Sequence, residues 1–494
     1  MNPSDIHQFR RQSPVSILLI LLKFFQALLR QAWPLLIIYF LGSKNRFESI
    51  ILTVGIFAGV GSTIYSIIAY FNFYYAIKGE ELHIHSGLLN KTRLNIPFDR
   101  IQAINLVQNP IHRFFGVVGL KIDTAGSTQQ EADISALSRA EAEMIQEIIF
   151  GHKKDEVADT EEADIPVADR QQKIFQLDLH TLIRTGLTQN HLKAFGIVIA
   201  TLFGFYQFGE DIMGEKQMST LLKNFFGDNP KNILGVFLQW LPLLLLISVV
   251  ISVGNVVLRY FNLILLKTAN GFKSIAGLFT RHEQSASLGK IQFIEWDRNF
   301  LMKWLGLFSL SLKPATSGRT RQQQTIFVPG CGQNQIDELK NAYFGPIDQW
   351  PAEVHPISSL IILRRTLYFG LLPALFLMLI SYNAGAKALI WLLLIPLSYW
   401  VNYRYHKKWK FYVNELGIQT NKGVLSDRSS LLKWHKIQSV ALRQSIYQRR
   451  KNLADIYLYT AAGTIQIPFV ELEKARKLQN FALYKIASSQ EAWM

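Results

Sequence analysis

A chain of 494 residues that is 49% hydrophobic and only 18% charged, with mean hydropathy +0.14, is too apolar for a disordered protein and too poor in charge for an ordinary soluble enzyme. Its 52 basic residues against 36 acidic ones leave a net charge of +16, which suits an anionic lipid surface or the flanks of membrane helices. Nucleic acid is excluded as a partner, because the bases are scattered without a continuous stripe or stacking aromatics. The single cysteine, Cys331, rules out an intrachain disulfide and a cysteine-based zinc cluster.

Apolar stretches come first along the chain, and they come in pairs. A spanning helix needs about 20 apolar residues. Ile17–Leu41 is interrupted on one helical face by Lys23, Gln26 and Arg30, so its first half reads as an interfacial helix and its second half, from Trp33, as a span. Ile50–Ala69 completes a first hairpin. Leu192–Phe208 and Ile233–Leu258 make a second, and Thr366–Tyr382 and Ala388–Val401 a third. The expectation is six transmembrane helices in three hairpins, with no cleavable signal after the first apolar run. Only six of the 52 basic residues (Lys44, Arg46, Lys216, Lys223, Lys231, Lys387) fall in the hairpin loops, which places the large polar segments in the cytoplasm. Lys23, Arg30, Arg364, Arg365, Arg404, Lys407, Lys408 and Lys410 are the basic residues expected at the membrane interface. Gly55-x3-Gly59 and Gly196-x3-Ala200-x3-Gly204 have the spacing of close helix packing.

The polar segments repeat. Gly87-Leu88-Leu89, Gly277-Leu278-Phe279 and Gly423-Val424-Leu425 are each followed by a basic-Ile-Gln triplet: Arg100-Ile101-Gln102, Lys290-Ile291-Gln292 and Lys436-Ile437-Gln438. The Gly-to-Ile interval is 14 in all three. Eight residues past each Ile stands Asn109, Asn299 or Ser445, and four further stands Arg113, Lys303 or Arg449. Alternating apolar positions predict strands on both sides of these landmarks, and each unit ends in a helical pattern (138–150, 335–343, 472–486), the first opening with a Ser138/Glu141 capping box. The sequence therefore divides into an interfacial helix plus first hairpin (1–76), a first β unit (77–150), an acidic linker (151–172), a second hairpin (173–262), a second unit (263–346), a third hairpin (347–405) and a third unit (406–494). The linker carries Asp155, Glu156, Asp159, Glu161, Glu162, Asp164 and Asp169, too polar to bury a core, and is expected to be disordered.

This Gly-Leu-Leu, Ile-Gln and Thr-Ala-Gly series (Thr124-Ala125-Gly126, then Thr316-Ser317-Gly318 and Ala461-Ala462-Gly463), each copy behind a membrane hairpin, resembles the YdbS-like bacterial pleckstrin-homology (PH) domain family over nearly the whole chain. The resemblance implies an α+β fold, a β-sandwich or partly open barrel capped by a C-terminal helix, facing the cytoplasm from a bacterial inner membrane. It also implies a headgroup role for the first hairpin of a unit, where Lys91-Thr92-Arg93 resembles the Lys-x-Arg of phosphoinositide binders; neither other unit keeps that triplet.

For catalysis the sequence offers little. It has no Walker loop and no His-Glu-x-x-His. His83 and His85 share one face of a strand without further ligands in view, so no metal site and no cofactor is expected. The basic residues at repeated or neighbouring positions (Lys91, Arg93, Arg100, Arg113, Lys290, Lys303, Arg428, Lys436, Arg449) are the candidates for binding anionic headgroups or a protein partner. The expectation is a non-enzymatic membrane scaffold or sensor serving envelope maintenance or stress defence; the alternative is a transporter or lipid-moving component whose hairpins form a path.

Overall fold

The structure, a computed structural model, describes residues 8–27, 47–87, 91–124, 132–151, 172–214, 216, 219–220, 233–268, 271–315, 325–345 and 353–489. The acidic segment between 151 and 172, Arg30, and the first two hairpin loops' Lys44, Arg46, Lys223 and Lys231 lie outside the described residues.

Three α+β units follow one another. The first holds β1 (Tyr74–Lys78), β2 (Glu81–Ser86), β3 (Thr92–Pro97), β4 (Ile101–Gln108), β5 (Val117–Thr124) and β6 (Ala132–Ser138), then a closing helix, Arg139–Gly151. The second holds β7 (Gln172–Gln176), β8 (Ile264–Thr268), β9 (Gly271–Ala276), β10 (Arg281–Ser287), β11 (Ile291–Arg298), β12 (Phe308–Pro314) and β13 (Ile326–Cys331), closed by Gln333–Phe344. The third holds β14 (Glu353–Pro356), β15 (Lys410–Val413), β16 (Gly417–Lys422), β17 (Asp427–Lys433), β18 (Ser439–Arg443), β19 (Leu453–Thr460) and β20 (Gly463–Glu471), closed by Leu472–Ser488. Each unit thus has a front sheet, a back sheet of three strands and one C-terminal helix.

The units begin earlier than the hydropathy divisions suggest. β7 pairs with β8 and β14 with β15, so a short strand before each of these hairpins closes the edge of the sheet that follows it. In the first unit Arg10 makes the corresponding bridge to Tyr75. A boundary at 263 or 406 therefore cuts through a ladder.

The sheets do not stop at unit boundaries. β4 pairs antiparallel with β10, and β11 with β17, so two seven-stranded sheets each span two units. Ala103 faces Ala286 and Phe293 faces Leu432. Counted from the repeat isoleucines, both junctions join the residue two after one Ile to the residue five before the next. The cores follow: Leu431 belongs to the second unit's core and Phe293 to the third's.

The repeated landmarks have local causes. Gly87, Gly277 and Gly423 have φ of 104°, 119° and 145°, a region open to glycine. A Cβ at Gly277 would stand 2.0 Å from the Thr280 carbonyl, and one at Gly423 1.7 Å from that of Ser426. The basic-Ile pair closes a one-turn 3-10 helix between the sheets, with Ile101, Ile291 and Ile437 buried. Asn109, Asn299 and Ser445 cap short helices, accepting from the amides of His112, Met302 and Gln448. The Ser138/Glu141 capping box is present as read.

Among the described residues three helices are long and apolar enough to cross a membrane: Gln239–Tyr260, Leu360–Ile380 and Gly385–Lys408. Val15–Ala27, Phe57–Phe71 and His191–Gly204 are shorter apolar helices. The described helices thus fall short of six spans. Val15–Ala27 buries Leu19 against Val117 and Ala136 of the first unit, and Lys23 pairs with Asp133 at 3.4 Å, so this helix is applied to the domain. A Cβ at Gly55, Gly59, Gly196 or Gly204 would meet nothing within 4 Å among the described residues, so their spacing does not mark a packed contact there. A close approach lies at Gly370, where a Cβ would stand 2.8 Å from Cβ of Ser398, and another at Gly186, where one would stand 3.2 Å from Cα of Val253.

Replacing Gly423 with Ala should cost about 1–3 kcal/mol, because the new Cβ meets both a forbidden φ and a backbone oxygen. The exposed neighbour change Leu425→Ala should stay within about 0.5 kcal/mol. Thermal unfolding of the purified chain distinguishes them; equal midpoints would remove the steric account of the repeat glycine.

Candidate functional site

The first repeated basic position is a fastener between units. The buried Lys290 ammonium donates to the Asp99 carbonyl at 3.0 Å, and that of Lys436 to the Gly289 carbonyl at 2.7 Å. Each reaches from its own 3-10 turn into the turn of the preceding unit. Their side chains are 4% and 3% exposed, so neither meets a headgroup; the expected lipid role of Lys290 and Lys436 is corrected on that ground. Arg100, the copy with no preceding unit, is exposed.

The second repeated basic position points the other way. The Arg113 guanidinium donates to the Leu278 carbonyl of the second unit at 3.0 Å, and Lys303 lies 3.8 Å from Asp427 of the third. Asp427 also receives Arg298 at 3.0 Å and Lys408. Burial alone would raise its carboxyl, but the hydrogen bonds from Lys408 and Arg298 and the nearby Lys303 hold it below the usual carboxylate range. The first junction has its acid at Glu283, two residues beyond Arg281, which is the register equivalent of Asp427. Burial again works against the charge, and Lys273, Arg139 and Arg281 outweigh it and keep the carboxyl low. Arg428 joins Glu295 across the second junction at 3.5 Å, so it too is an inter-unit contact. Arg449 is exposed, as Arg113 and Lys303 are.

These short helices sit beside the apolar helices. The Leu278 amide donates to the Leu258 carbonyl, at the end of the helix Ile233–Tyr260, and Asn299 donates to the Thr188 carbonyl just before His191–Met213. Their inner faces are buried through His112, Met302 and Gln448. Their outer faces carry large apolar groups in the open: Phe114 and Trp304 are each 82% exposed, with Phe300 and Ile446 nearby in kind. Exposed aromatic and aliphatic side chains beside Arg and Lys, next to the ends of membrane helices, match the chemistry of the headgroup layer.

A cavity of about 250 Å³ opens where the first and second units meet. Lys121, Arg259, His282, Asn105 and Glu283 supply its polar lining. Glu283 is already engaged by three bases, and Asn105 donates to Asp123 at 2.9 Å. Burial, then Arg259 and Lys121, lower the His282 imidazole from its ordinary range. Lys121 and Arg259 therefore give the cavity a positive wall at the end of a membrane helix. The sequence reading missed both; Arg259 was legible as the first base after a long uncharged apolar run.

The remaining candidates divide plainly. Lys91, Arg93, Lys407 and Lys410 are exposed. Arg404 stacks on Trp400 at 5.7 Å. Arg364 lies over Phe469 at 4.2 Å, and Arg365 over Tyr405 at 4.2 Å while donating to Asn402 at 3.0 Å. Asn402 in turn donates to Ser398, forming a polar cluster that runs inward from the domain-proximal end of the third hairpin. Cys331 is buried and its thiol is pushed up to about 12, which makes it unreactive. His83 faces Glu81 at 3.5 Å and His85 stacks on Phe9. Among the described residues no three His, Cys, Asp or Glu converge as metal ligands.

The profile of the bacterial PH domain family matches residues 17–153, 219–345 and 361–486, one match per unit. A curated relative, the UPF0699 transmembrane protein YdbT of Bacillus subtilis (strain 168), is 22% identical over 407 residues, covering 79% of this chain and 80% of the relative. No solved structure matches.

Because Asp427 is held low in the folded state, its stabilising effect is complete above the ordinary carboxylate range and is lost as pH falls through and below that range. Asp427→Asn should lower the unfolding midpoint at pH 7 and flatten its fall between about pH 5 and pH 3. An unchanged acid profile would show that this carboxylate does not hold the junction.

Proposed function

The chain belongs to the bacterial PH domain family, and from that premise we propose that it is an integral membrane scaffold that holds three fused PH-like units against an anionic lipid surface. In this reading the apolar segments complete six spans in three hairpins, in the cytoplasmic membrane of a bacterium. The units face the cytoplasm, where the excess of basic residues outside the hairpin loops belongs under the positive-inside rule. The role is non-enzymatic: binding lipid, and presenting the units to a protein partner, in the upkeep or defence of the envelope.

The observation that carries the reading is the basic cavity at the junction of the first two units, with Lys121 and Arg259 on its wall and a membrane helix ending in it. A lipid phosphate entering there would meet two cations at the depth where headgroups lie. The exposed Phe114, Phe300, Trp304 and Ile446 provide apolar contacts for the same layer. The polar cluster of Arg365, Asn402 and Ser398 runs inward from the domain-proximal end of the third hairpin, and Ser398 packs against Gly370 near the middle of both helices.

The purified full chain, titrated with phosphatidylglycerol or phosphatidylcholine and read by native mass spectrometry, should retain the anionic lipid preferentially. Each basic side chain near the surface contributes ~1 kcal/mol, or about fivefold. The double change Lys121→Gln, Arg259→Gln should therefore lower phosphatidylglycerol retention by roughly an order of magnitude or more, while Lys290→Met, in a well-folded sample, should leave it unchanged. Equal retention of the two lipids, or indifference to the double change, would contradict the proposal.

A further inference from the structure

A second cavity, of about 290 Å³, lies where the second and third units meet. β11, β12, β16 and β17 form one wall of it and the closing helix Gln333–Phe344 another. Lys408, the last residue of the helix Leu394–Lys408, stands at its side. Alternate residues of a strand share a face, so Trp296 and Arg298 lie on the same side of the sheet as Asp427 and Ser429. Lys422 and Arg428 also border the cavity, but alternation turns their side chains to the other face, where Arg428 meets Glu295 at 3.5 Å.

The charges around this space do not balance. Arg298 at 3.0 Å, Lys408, and from farther out Lys303 at 3.8 Å all converge on Asp427. Lys340 lies over the Trp296 ring at 4.6 Å and 3.2 Å from Asp337. Arg298, Lys303, Lys340 and Lys408 thus face Asp427 and Asp337, a surplus of two positive charges. Trp296 and Phe308, both buried, supply walls of low polarity, which strengthen the field inside. Two uncharged donors are also unspent: among the described residues neither the Asn421 NH2 group nor the Ser429 hydroxyl makes a hydrogen bond.

The first junction shows what the second lacks. Counted from the repeat landmarks, Gln108, Gln146 and Asn262 stand there in the places of Arg298, Lys340 and Lys408. A junction therefore forms without cations at those three positions. On the same face the first junction has Arg139, Lys273 and Arg281, and all three lie within 3.3 Å of Glu283. Glu283 faces Leu106, and in the same register Ser429 faces Trp296. The carboxylate at the centre of the first cluster is a serine in the second, and Asp427 stands instead at the position of Arg281.

We propose that this cavity binds a phosphomonoester, a phosphate group with two negative charges, on Arg298, Lys340 and Lys408, with Asn421 and Ser429 as further donors. The guanidinium presents paired donors that match two phosphate oxygens, and the ammonium groups add charge without a fixed direction. Because Lys408 ends an apolar helix, the phosphate belongs either to a lipid headgroup or to a free phosphomonoester; the recognising chemistry is the same. The cavity shares no lining residue with the one at the first junction, so the inference does not rest on the lipid reading of that site.

The test uses the purified full chain at about pH 8, where a phosphomonoester carries both charges. Glycerol 3-phosphate is titrated by calorimetry into the chain in phosphatidylcholine nanodiscs, and phosphatidic acid is set against phosphatidylglycerol in native mass spectrometry. At least one phosphomonoester should bind, and binding should survive the double change Lys121→Gln, Arg259→Gln, which separates this outcome from the first cavity. Uptake of phosphatidic acid alone upholds the site with a lipid as its source, and uptake of glycerol 3-phosphate upholds it with the phosphate group sufficient. Lys340→Gln, which installs the residue of the first unit, should weaken binding about fivefold. Ser429→Glu puts the carboxylate of the first junction into the second. It should abolish binding and leave the unfolding midpoint equal or higher, because the surplus charge is then matched from within the chain. Uptake of neither phosphomonoester, loss of uptake with the Lys121 and Arg259 change, or binding untouched by Ser429→Glu in a folded sample would overturn the proposal. In the chain with Lys121 and Arg259 replaced, phosphatidylglycerol retained as well as phosphatidic acid, without uptake of glycerol 3-phosphate, would overturn the doubly charged ligand.

Discussion

The pairing of a front-sheet edge strand with the back-sheet edge strand of the preceding unit is the interaction on which the architecture depends. A sheet edge presents a row of unpaired N–H and C=O groups, and a unit of two sheets has four such edges. Joining one front edge to one back edge in series pairs both, and leaves β3 and β18 as the corresponding edges without a paired strand among the described residues. The two junctions share a register, so the three units follow one another by one repeated operation. Each core then borrows from its neighbour, Leu431 in one direction and Phe293 in the other.

This constraint reassigns the basic repeats. A base at one position reaches back to a carbonyl of the preceding unit, and a base at the other reaches forward to the following unit's hairpin or its acid. Surface ion pairs contribute little in general, but Glu283 is almost wholly enclosed and surrounded by three bases, so removing those partners would leave a buried carboxylate unpaired. The lipid-facing chemistry is displaced to groups that the junctions do not consume: Lys121 and Arg259 at the cavity, and the apolar outer faces of the short helices.

What the sequence revealed was local, and what it hid was distant. The repeat glycines, isoleucines and Asn/Ser caps are legible because each answers to a backbone need within a few residues: a positive φ, a 3-10 turn, an orphan amide. The family resemblance rested on those same residues, and the three matches of the bacterial PH domain profile agree with it. Lys290 looked like a surface base because its partner, Asp99, is 191 residues away. β7 and β14 were missed because five and four residues show no periodicity until a hairpin brings the partner strand beside them. The glycine spacing of the first and second hairpins resembled a packing motif, yet among the described residues the tight approaches lie at Gly370 against Ser398 and Gly186 against Val253, which no spacing announces.

Hydrogen exchange on the full chain in lipid nanodiscs tests unit-to-unit pairing most directly. If the sheets are continuous, amides across β4, β10, β11 and β17 are protected on both sides of each strand, as in central strands, while β3 and β18 keep an alternating set of fast-exchanging amides along their outer edges. If β10 and β17 show that same alternating fast exchange, the units are separate beads on a chain, and the continuous sheet is contradicted.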